Sequence, residues 1–192
     1  MSQRHPIIAI TGSSGAGTTS VKRTFDQIFR REHINAAYVE GDSFHRYDRA
    51  EMKQAMAAAL TRGDHAMSHF GEEANLFAEL EELFVAYGET GGGRVRRYLH
   101  DDVEAEPYGQ PPGTFTSWEE VPENTDLLFY EGLHGAVKTD TVDVARHVDL
   151  AIGVTPVINL EWIQKLHRDQ VQRGYTTGAV TETILRRMPD YI

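Results

Sequence analysis

The apolar residues near the N-terminus fall into short runs separated by a helical pattern. A β-branched apolar run at 6–11 ends at Gly12 and predicts a buried strand. At 19–31 the apolar side chains share one helical face, and 36–39 form a second short apolar run. The order strand, loop, helix, strand is typical of a parallel sheet, so this pattern predicts an α/β fold.

The rest of the chain continues the alternation. The stretch 88–124 is rich in glycine, proline and acidic residues and predicts long loops with a short strand. The last residues, 190–192, have the pattern of an approach to another strand, so we expect the fold to continue beyond them. The remaining patterns predict helices at 51–61, 72–87, 159–174 and 179–188, and buried strands at 127–130 and 149–154.

The composition excludes several kinds of function. The sequence has no cysteine, which excludes disulfides, thiol catalysis, cysteine-ligated zinc and a thiol-based redox switch. Its formal net charge of −10 argues against a nucleic-acid surface, because such surfaces neutralise phosphates with Lys and Arg. No apolar run approaches the roughly 20 residues of a membrane span, and no signal-peptide pattern opens the chain. We therefore expect a cytoplasmic protein that meets neither nucleic acid nor membrane.

A glycine-rich loop joins the first predicted strand to the first predicted helix. It matches the phosphate-loop pattern G-x-x-x-x-G-K-[ST], except that Thr18 replaces the lysine. Backbone N–H groups and a helix N-terminus there favour an anion, and Thr19 stands where such loops supply a hydroxyl to Mg²⁺. The alternative is a glycine-rich turn with an N-capping hydroxyl. The loop comprises Gly12, Ser13, Ser14, Gly15, Ala16, Gly17, Thr18 and Thr19.

Acidic residues follow the second and third predicted strands. Because the carboxyl ends of neighbouring parallel strands share one crevice, Asp42 would face the phosphate loop. Its carboxylate can accept a proton from an attacking hydroxyl, or Asp42 can be a helix N-cap or a turn residue. Glu131 is in the position where a carboxylate organises Mg²⁺, although a lone acid at a strand end favours a structural role.

A charged helix is predicted in the second half of the chain. On it, Lys165, Arg168 and Asp169 are three and four positions apart and share one face. One interpretation is a solvated face with a Lys165–Asp169 ion pair worth roughly a few tenths of a kcal/mol. The other is a cationic lid that closes over a nucleotide and supplies the charge that the phosphate loop lacks without its lysine.

Together, these motifs resemble the phosphoribulokinase and uridine kinase family. The similarity covers essentially the whole chain and implies an α/β P-loop kinase fold in one domain over 1–192, with a mostly parallel sheet, helices on both faces and a helical lid. The motifs are the phosphate loop and the segments 40–45, 130–132 and 168–174. Further segments resemble phosphoribulokinase in particular, and the last of them resembles its bacterial type: 68–75, 97–105, 112–118 and 157–165.

The resemblance implies transfer of the γ-phosphoryl group of ATP, with Mg²⁺, to O1 of ribulose 5-phosphate in the Calvin cycle. It makes Asp42 the catalytic base and makes Glu131 and Asp169 carboxylates of the Mg-ATP site, with Thr19. Lys165 and Arg168 would stabilise the transferring phosphoryl group. Bacterial members also have Thr18 in place of lysine. The sugar phosphate would be held by His45, Arg49, Tyr98, His100 and Arg173.

The resemblance also bears on regulation, and two rival functions are open. Family members are longer than this chain, and bacterial ones are oligomeric, activated by NADH and opposed by AMP, which implies a homo-oligomer in the full-length form. Arg31 and Arg187 are candidates for an effector site or are solvent-facing helix residues. A nucleoside kinase is the first rival, but it gives no reason for the cationic sugar-phosphate group. A non-catalytic nucleotide-binding regulator, suggested by the missing lysine, is the second.

Overall fold

The structure, a computed structural model, describes residues 5–13, 15–64, 67–171, 174–186 and 188. Its strands are β1 (Ile7–Thr11), β2 (Ala36–Glu40), β3 (Arg94–Val95), β4 (Glu119–Glu120), β5 (Leu127–Gly132) and β6 (Leu150–Gly153). Its helices are α1 (Thr18–Glu32), α2 (Arg49–Thr61), α3 (Phe77–Thr90), α4 (Asp102–Ala105), α5 (Ile158–Val171) and α6 (Thr177–Arg186). Strands and helices alternate, as the sequence pattern predicts for an α/β fold.

A parallel sheet with the strand order β2-β5-β1-β6 forms the centre of the molecule. Strand β5 therefore lies between β1 and β2, which are consecutive in the first half of the chain. Its register pairs Glu131 with both Ile10 of β1 and Glu40 of β2. Because parallel strands end at the same edge, the segments that follow β1, β2 and β5 meet in one crevice.

The core lies on both faces of the sheet and is organised by β5, whose first four residues are buried. On one face, Phe129 packs against Phe25 and Phe29 of α1, with ring centroids 5.2 Å apart in both contacts. On the other face, the ring of Tyr130 packs against Phe84 of α3. Successive residues of a strand point to opposite faces, so a continuous apolar run is what a strand covered on both sides requires.

The predicted helix at 72–87 is wrong at its start, because α3 begins at Phe77. Glu72–Ala74 forms a 3-10 turn instead, and Asn75 is extended. The side-chain amide of Asn75 is buried and donates to nearby backbone carbonyls, among them that of His69 at 2.9 Å. These tertiary hydrogen bonds replace the helical ones, which local periodicity does not reveal.

The other predicted elements are present with small shifts at their ends, but the predicted burial of the strand at 149–154 is wrong. Strand β6 lies at the edge of the sheet and is largely exposed, with Leu150 46% exposed. The predicted loop region 88–124 contains two short strands rather than one, and β3 and β4 pair antiparallel. The predicted strand approach at 190–192 lies outside the described residues. No helix in the described part of the chain is long and apolar enough to cross a membrane.

Candidate active site

The loop between β1 and α1 has the geometry of an anion cradle. Gly15 and Gly17 have φ values of 106° and 100°, a conformation that favours glycine. Gly17 is the N-cap of α1, and the first turn of the helix carries no acidic residue. Because Gly17 has no side chain, the alternative of an N-capping hydroxyl is wrong. The backbone N–H groups at this helix N-terminus favour an anion, while Ser14 lies outside the described residues.

Thr18, in place of the usual lysine, forms a hydrogen bond with Glu131 at the end of β5. Burial raises the pKa of the Glu131 carboxyl, and this hydrogen bond together with the charge of Lys22 only partly opposes the rise. Lys22 Nζ lies 3.0 Å from Glu40 Oε1. Thr19 is exposed in the first turn of α1. A partly buried carboxyl with a raised pKa thus lies beside the phosphate loop, near an exposed hydroxyl.

Asp42 lies in a 3-10 turn, Gly41–Phe44, directly after β2. Its two carboxylate oxygens face two imidazoles: Oδ1 lies 3.2 Å from His45 Nε2, and Oδ2 lies 3.0 Å from His100 Nε2. The carboxylate therefore binds side chains rather than capping a helix. Its position agrees with the interpretation of Asp42 as a turn residue. A turn residue does not need two histidine partners, however, so these contacts point to a further role.

The two imidazoles change the protonation of the cluster. Desolvation would raise the pKa of the Asp42 carboxyl, but the hydrogen bonds and charges of His100 and His45 outweigh it and hold this pKa well below its usual range. The hydrogen bond to Asp42 raises the pKa of His100 to about 9 against desolvation, with help from Glu104. At neutral pH, Asp42 is a carboxylate and His100 is an imidazolium.

Asn75 orients the second imidazole. Its Oδ1 lies 2.9 Å from His45 Nδ1, and its amide nitrogen donates to carbonyls, so Oδ1 must accept from the His45 ring. With Nδ1 protonated, His45 donates to Asp42 from Nε2 only when the ring is doubly protonated. Burial lowers the pKa of His45, but the contacts with Asp42 and Asn75 raise it overall. The sequence motif at 68–75 contains Asn75 but gave no sign of this role.

A close contact between two glycines brings Asp42 to the end of β5. A Cβ atom on Gly132 would lie 2.7 Å from Gly41 Cα, and a Cβ on Gly41 would clash with the Tyr130 hydroxyl. The backbones of the two segments therefore approach closer than any side chain permits. This contact explains why glycine precedes Asp42 and follows Glu131 in the sequence.

The predicted sugar-phosphate residues in the described part of the chain gather beside Asp42. Arg49 Nη2 donates to the backbone carbonyl of His100 at 2.7 Å, and its guanidinium lies 6.0 Å from the Tyr98 ring centroid. The rings of Tyr98 and His100 are 4.9 Å apart. Arg49, Tyr98 and His100 thus form one cationic and aromatic wall, joined to His45 through Asp42. Arg173 lies outside the described residues.

The charged helix α5 packs against the phosphate loop. A Cβ on Gly15 would lie 3.2 Å from Lys165 Cβ, and Ser13 Oγ donates to the carboxylate of Glu161. Lys165 Nζ lies 3.0 Å from Asp169 Oδ2, and Arg168 Nη2 lies 2.9 Å from Asp169 Oδ1. The predicted ion pair forms, but Lys165 and Asp169 are only 4% and 3% exposed, so the interpretation as a solvated face is wrong.

Two further histidine neighbours of the site were missed by sequence reasoning. His134 Nε2 lies 3.0 Å from the His69 carbonyl oxygen, and its backbone N–H donates to the Tyr130 hydroxyl. Burial lowers the pKa of His134 to about 4, so the ring is neutral. The His69 ring in turn lies 4.7 Å from that of His45. A histidine in an irregular segment carries no periodic signal, so only the folded chain reveals these contacts.

Comparisons with known proteins agree with this architecture. Residues 7–192 match the model of the Phosphoribulokinase / Uridine kinase family. The chain is 69% identical to the chromosomal phosphoribulokinase of Cupriavidus necator and 67% identical to the phosphoribulokinase of Nitrobacter vulgaris, over its full length in both cases. It spans 66% of the length of each of these relatives.

A solved structure of phosphoribulokinase from Rhodobacter spheroides is similar to this fold. It superposes with a TM-score of 0.83 at 55% sequence identity, over 96% of this chain and 63% of that one. The chain belongs to the phosphoribulokinase / uridine kinase family.

Proposed function

We propose that this protein is a phosphoribulokinase, which transfers the γ-phosphoryl group of ATP to O1 of D-ribulose 5-phosphate and forms D-ribulose 1,5-bisphosphate. One observation carries the proposal: Asp42 stands between His45 and His100 in the crevice that also contains the phosphate loop. The cationic wall beside it suits an acceptor that carries a phosphate group. Relatives named phosphoribulokinase, at 58–69% identity, support the same substrate.

ATP and Mg²⁺ fit the described residues of the phosphate loop and its surroundings. The backbone N–H groups of the loop would hold the phosphates. Thr19 and Glu131 offer the oxygen ligands that Mg²⁺ prefers, and a divalent cation would favour the ionised form of the partly buried Glu131. Asp169 accepts from Lys165 and Arg168, and its carboxylate has further lone pairs with which it could also bind the metal. When bound, Mg²⁺ neutralises charge on the β- and γ-phosphates.

Asp42 receives the proton of the O1 hydroxyl as that oxygen attacks the γ-phosphorus. The bond from the γ-phosphorus to O1 forms while its bond to the leaving oxygen of ADP breaks. The low pKa of Asp42 makes it a weak base. In a loose phosphoryl-transfer transition state the hydroxyl proton leaves late, so orientation of the hydroxyl contributes more than basicity. His45 and His100 serve this orientation by fixing both carboxylate oxygens.

Helix α5 supplies the charge that Thr18 does not. Lys165 and Arg168 lie on the helix that packs on the phosphate loop, and their ion pairs with Asp169 hold them there. In the reaction they stabilise the charge of the transferring phosphoryl group, as preorganised donors do in a water-poor site. This role is compatible with their partial or complete burial.

Regulation stays a prediction. Arg31 lies in the last turn of α1 with 75% of its side chain exposed and pairs with Glu32 at 2.7 Å, so it is available to an effector or to solvent. Arg187 lies outside the described residues. We retain NADH and AMP as candidate effectors and a homo-oligomer as the candidate assembly.

The decisive experiment measures ADP formation with ribulose 5-phosphate, with uridine and with no acceptor. We expect turnover that requires ribulose 5-phosphate and Mg²⁺, with ribulose 1,5-bisphosphate as the product. Turnover with uridine would favour the nucleoside kinase instead. ATP binding without acceptor-dependent turnover would favour the non-catalytic regulator.

A further inference from the structure

Arg96, which directly follows β3, is bound into the site by four contacts. Its Nε donates to the Ser43 carbonyl at 2.9 Å, and its Nη2 donates to the His45 carbonyl at 2.6 Å. Its guanidinium carbon lies 3.7 Å from the Phe115 ring centroid and 4.9 Å from that of Trp118. A planar guanidinium can bind two carbonyls along its edge while its faces stack on aromatic rings.

The two carbonyls belong to the short turn that carries Asp42. Ser43 and His45 are 2% and 7% exposed, so their carbonyls have little access to water as an alternative partner. The N-terminal side of the turn is already fixed by the contact between Gly41 and Gly132. Arg96 fixes the C-terminal side, which leaves the turn held at both ends.

Arg96 also belongs to the segment that carries His100. In this segment the Leu99 N–H donates to the Thr114 carbonyl at 2.9 Å, so the backbone before His100 is held against the following loop. The contact of His100 with Asp42 therefore joins two segments far apart in the chain. The hydrogen bonds of Arg96 to the Ser43 and His45 carbonyls form a further link between the same two segments.

We propose that Arg96 is a positioning residue, which clamps the segment of His100 to the turn of Asp42 and so sets the geometry between the carboxylate and its two imidazoles. The contacts of Arg96 are with the turn carbonyls and the aromatic rings, so its assigned role is to act through Asp42 and not on the reacting groups. The catalytic part of this inference rests on the proposed function, because it takes Asp42 as the group that orients the acceptor hydroxyl. The structural part, the dependence of the Asp42–His100 contact on Arg96, does not.

Two replacements of Arg96 test the clamp. Arg96→Lys keeps the charge but cannot bind both carbonyls with a planar fork, and Arg96→Met keeps apolar contact with the aromatic rings while removing every donor. The matched control is Arg94→Met, two positions earlier on β3, where the side chain is exposed. Urea unfolding identifies the variants that remain folded under the conditions of measurement.

The first readout is the titration of the His100 ring followed by NMR, with the signal assigned by its loss in His100→Gln. In the unmodified protein the pKa of His100 is raised to about 9 by Asp42 and Glu104. We expect the pKa to fall toward the ordinary value of about 6.5 in both Arg96 variants, incompletely because Glu104 remains. Arg94→Met should leave the titration unchanged.

The second readout is steady-state kinetics with ribulose 5-phosphate. We expect kcat to fall by about 10- to 100-fold in Arg96→Lys, the scale of a small misplacement of reacting groups, with the KM for ATP unchanged. The proposal would be overturned if both Arg96 variants fold and show a normal His100 titration and a normal kcat. Variants that lose stability but keep the His100 titration would overturn it as well, because that result describes a purely structural residue.

The two proposals fail in different ways. If the unmodified protein does not turn over ribulose 5-phosphate but the His100 pKa still falls in the Arg96 variants, the clamp stands and the proposed function is wrong. If turnover is normal in the unmodified protein and the variants change neither readout, the function stands and the clamp is wrong.

Discussion

At the scale of single residues, the surroundings of Asp42 determine its chemistry more than its own identity does. Its carboxylate lies between two imidazoles at 3.2 and 3.0 Å, and their hydrogen bonds hold its pKa low despite desolvation. A carboxylate with a low pKa stays ionised and directed while its partners keep their protons. Its proposed use is therefore to hold a hydroxyl in line with the γ-phosphorus.

Asp42→Asn preserves the shape of this residue and removes its charge and its basic oxygen. We expect kcat with ribulose 5-phosphate to fall by roughly 10²- to 10⁴-fold, the range for loss of a general base, while ATP binding changes little. Near-normal turnover would contradict the assigned role. Loss of ATP binding in Asp42→Asn but not in Asp169→Asn would show that the roles of the two carboxylates are exchanged.

His134 makes the stability of the fold depend on pH. Its folded-state pKa is lowered to about 4, below the unfolded value of about 6.5, so the unfolded chain binds more protons between these values. Stability conferred by the neutral ring is present above about pH 6.5 and is lost as the pH falls toward 4. We expect roughly 2 kcal/mol of this loss on going from about pH 7 to about pH 5.

The measurement is urea unfolding of the unmodified protein and His134→Gln at both pH values. His134→Gln should be less sensitive to acid, whatever its stability at neutral pH, because it has no ring to protonate. Exposed His167 provides the control, and His167→Gln should keep the original pH dependence. The comparison between variants is needed because other groups also make stability depend on pH. The raised pKa of Glu131, for example, makes the folded state more stable as the pH falls, which opposes the effect of His134. An equal acid sensitivity in His134→Gln would contradict the assignment.

At the scale of elements, the site depends on how closely the ends of β2 and β5 approach. Strand β5 ends in Glu131 and Gly132, and the turn after β2 begins with Gly41. Side chains at the two glycines would separate Asp42 from Glu131 and from the phosphate loop. The two glycines thus allow the backbones to approach closely enough for Asp42 and Glu131 to lie in one crevice.

Gly132→Ala tests this approach. The added methyl group would lie 2.7 Å from Gly41 Cα, so one backbone must shift. We expect the unfolding free energy to fall by roughly 1–3 kcal/mol, which is typical of overpacking. We also expect kcat to fall, because the shift moves Asp42 relative to Glu131. The control is Gly153→Ala at the corresponding end of β6, where a Cβ meets no atom within 4 Å. Equal effects of the two substitutions would show that the glycine contact is unimportant.

The cations of α5 differ in burial, which separates their expected effects. Arg168→Gln should lower kcat by about 10²- to 10³-fold, the scale of losing one preorganised donor, with a small loss of stability because its side chain is partly exposed. Lys165→Met should lower both kcat and stability, because it removes a buried partner of Asp169. Arg186→Met on α6 is the exposed control. An effect confined to the KM for ATP would indicate binding of the ground state alone.

At the scale of the whole molecule, the sheet order β2-β5-β1-β6 assembles the crevice. The phosphate loop, Asp42 and Glu131 come from three strands whose carboxyl ends meet, and His100 and Arg96 enter from the loop region between α3 and β5. The net charge of −10 makes this local group of cations an exception within an acidic protein. Under the proposed function, this group of cations would attract an anionic acceptor to the crevice.

The sequence by itself determined the features that depend on neighbours along the chain. The strands β1 and β5 follow from short apolar runs, and α1 follows from its amphipathic periodicity. The phosphate loop follows from glycines that must adopt positive φ between a strand and a helix. Asp42 and Glu131 were identified because each lies at or just beyond the carboxyl end of an apolar run. These signals are local, so one sequence is sufficient to read them.

Only the tertiary structure decided which distant segments meet. Packing placed β5 between β1 and β2 and brought His100 to Asp42. It also brought Arg96 to the turn of Asp42 and buried Lys165 with Asp169. The late start of α3 at Phe77 has the same origin, since the side-chain hydrogen bonds of Asn75 replace helical ones. Hydrophobic periodicity records which face of an element is buried, but not the partner that buries it, and that partner fixes the site.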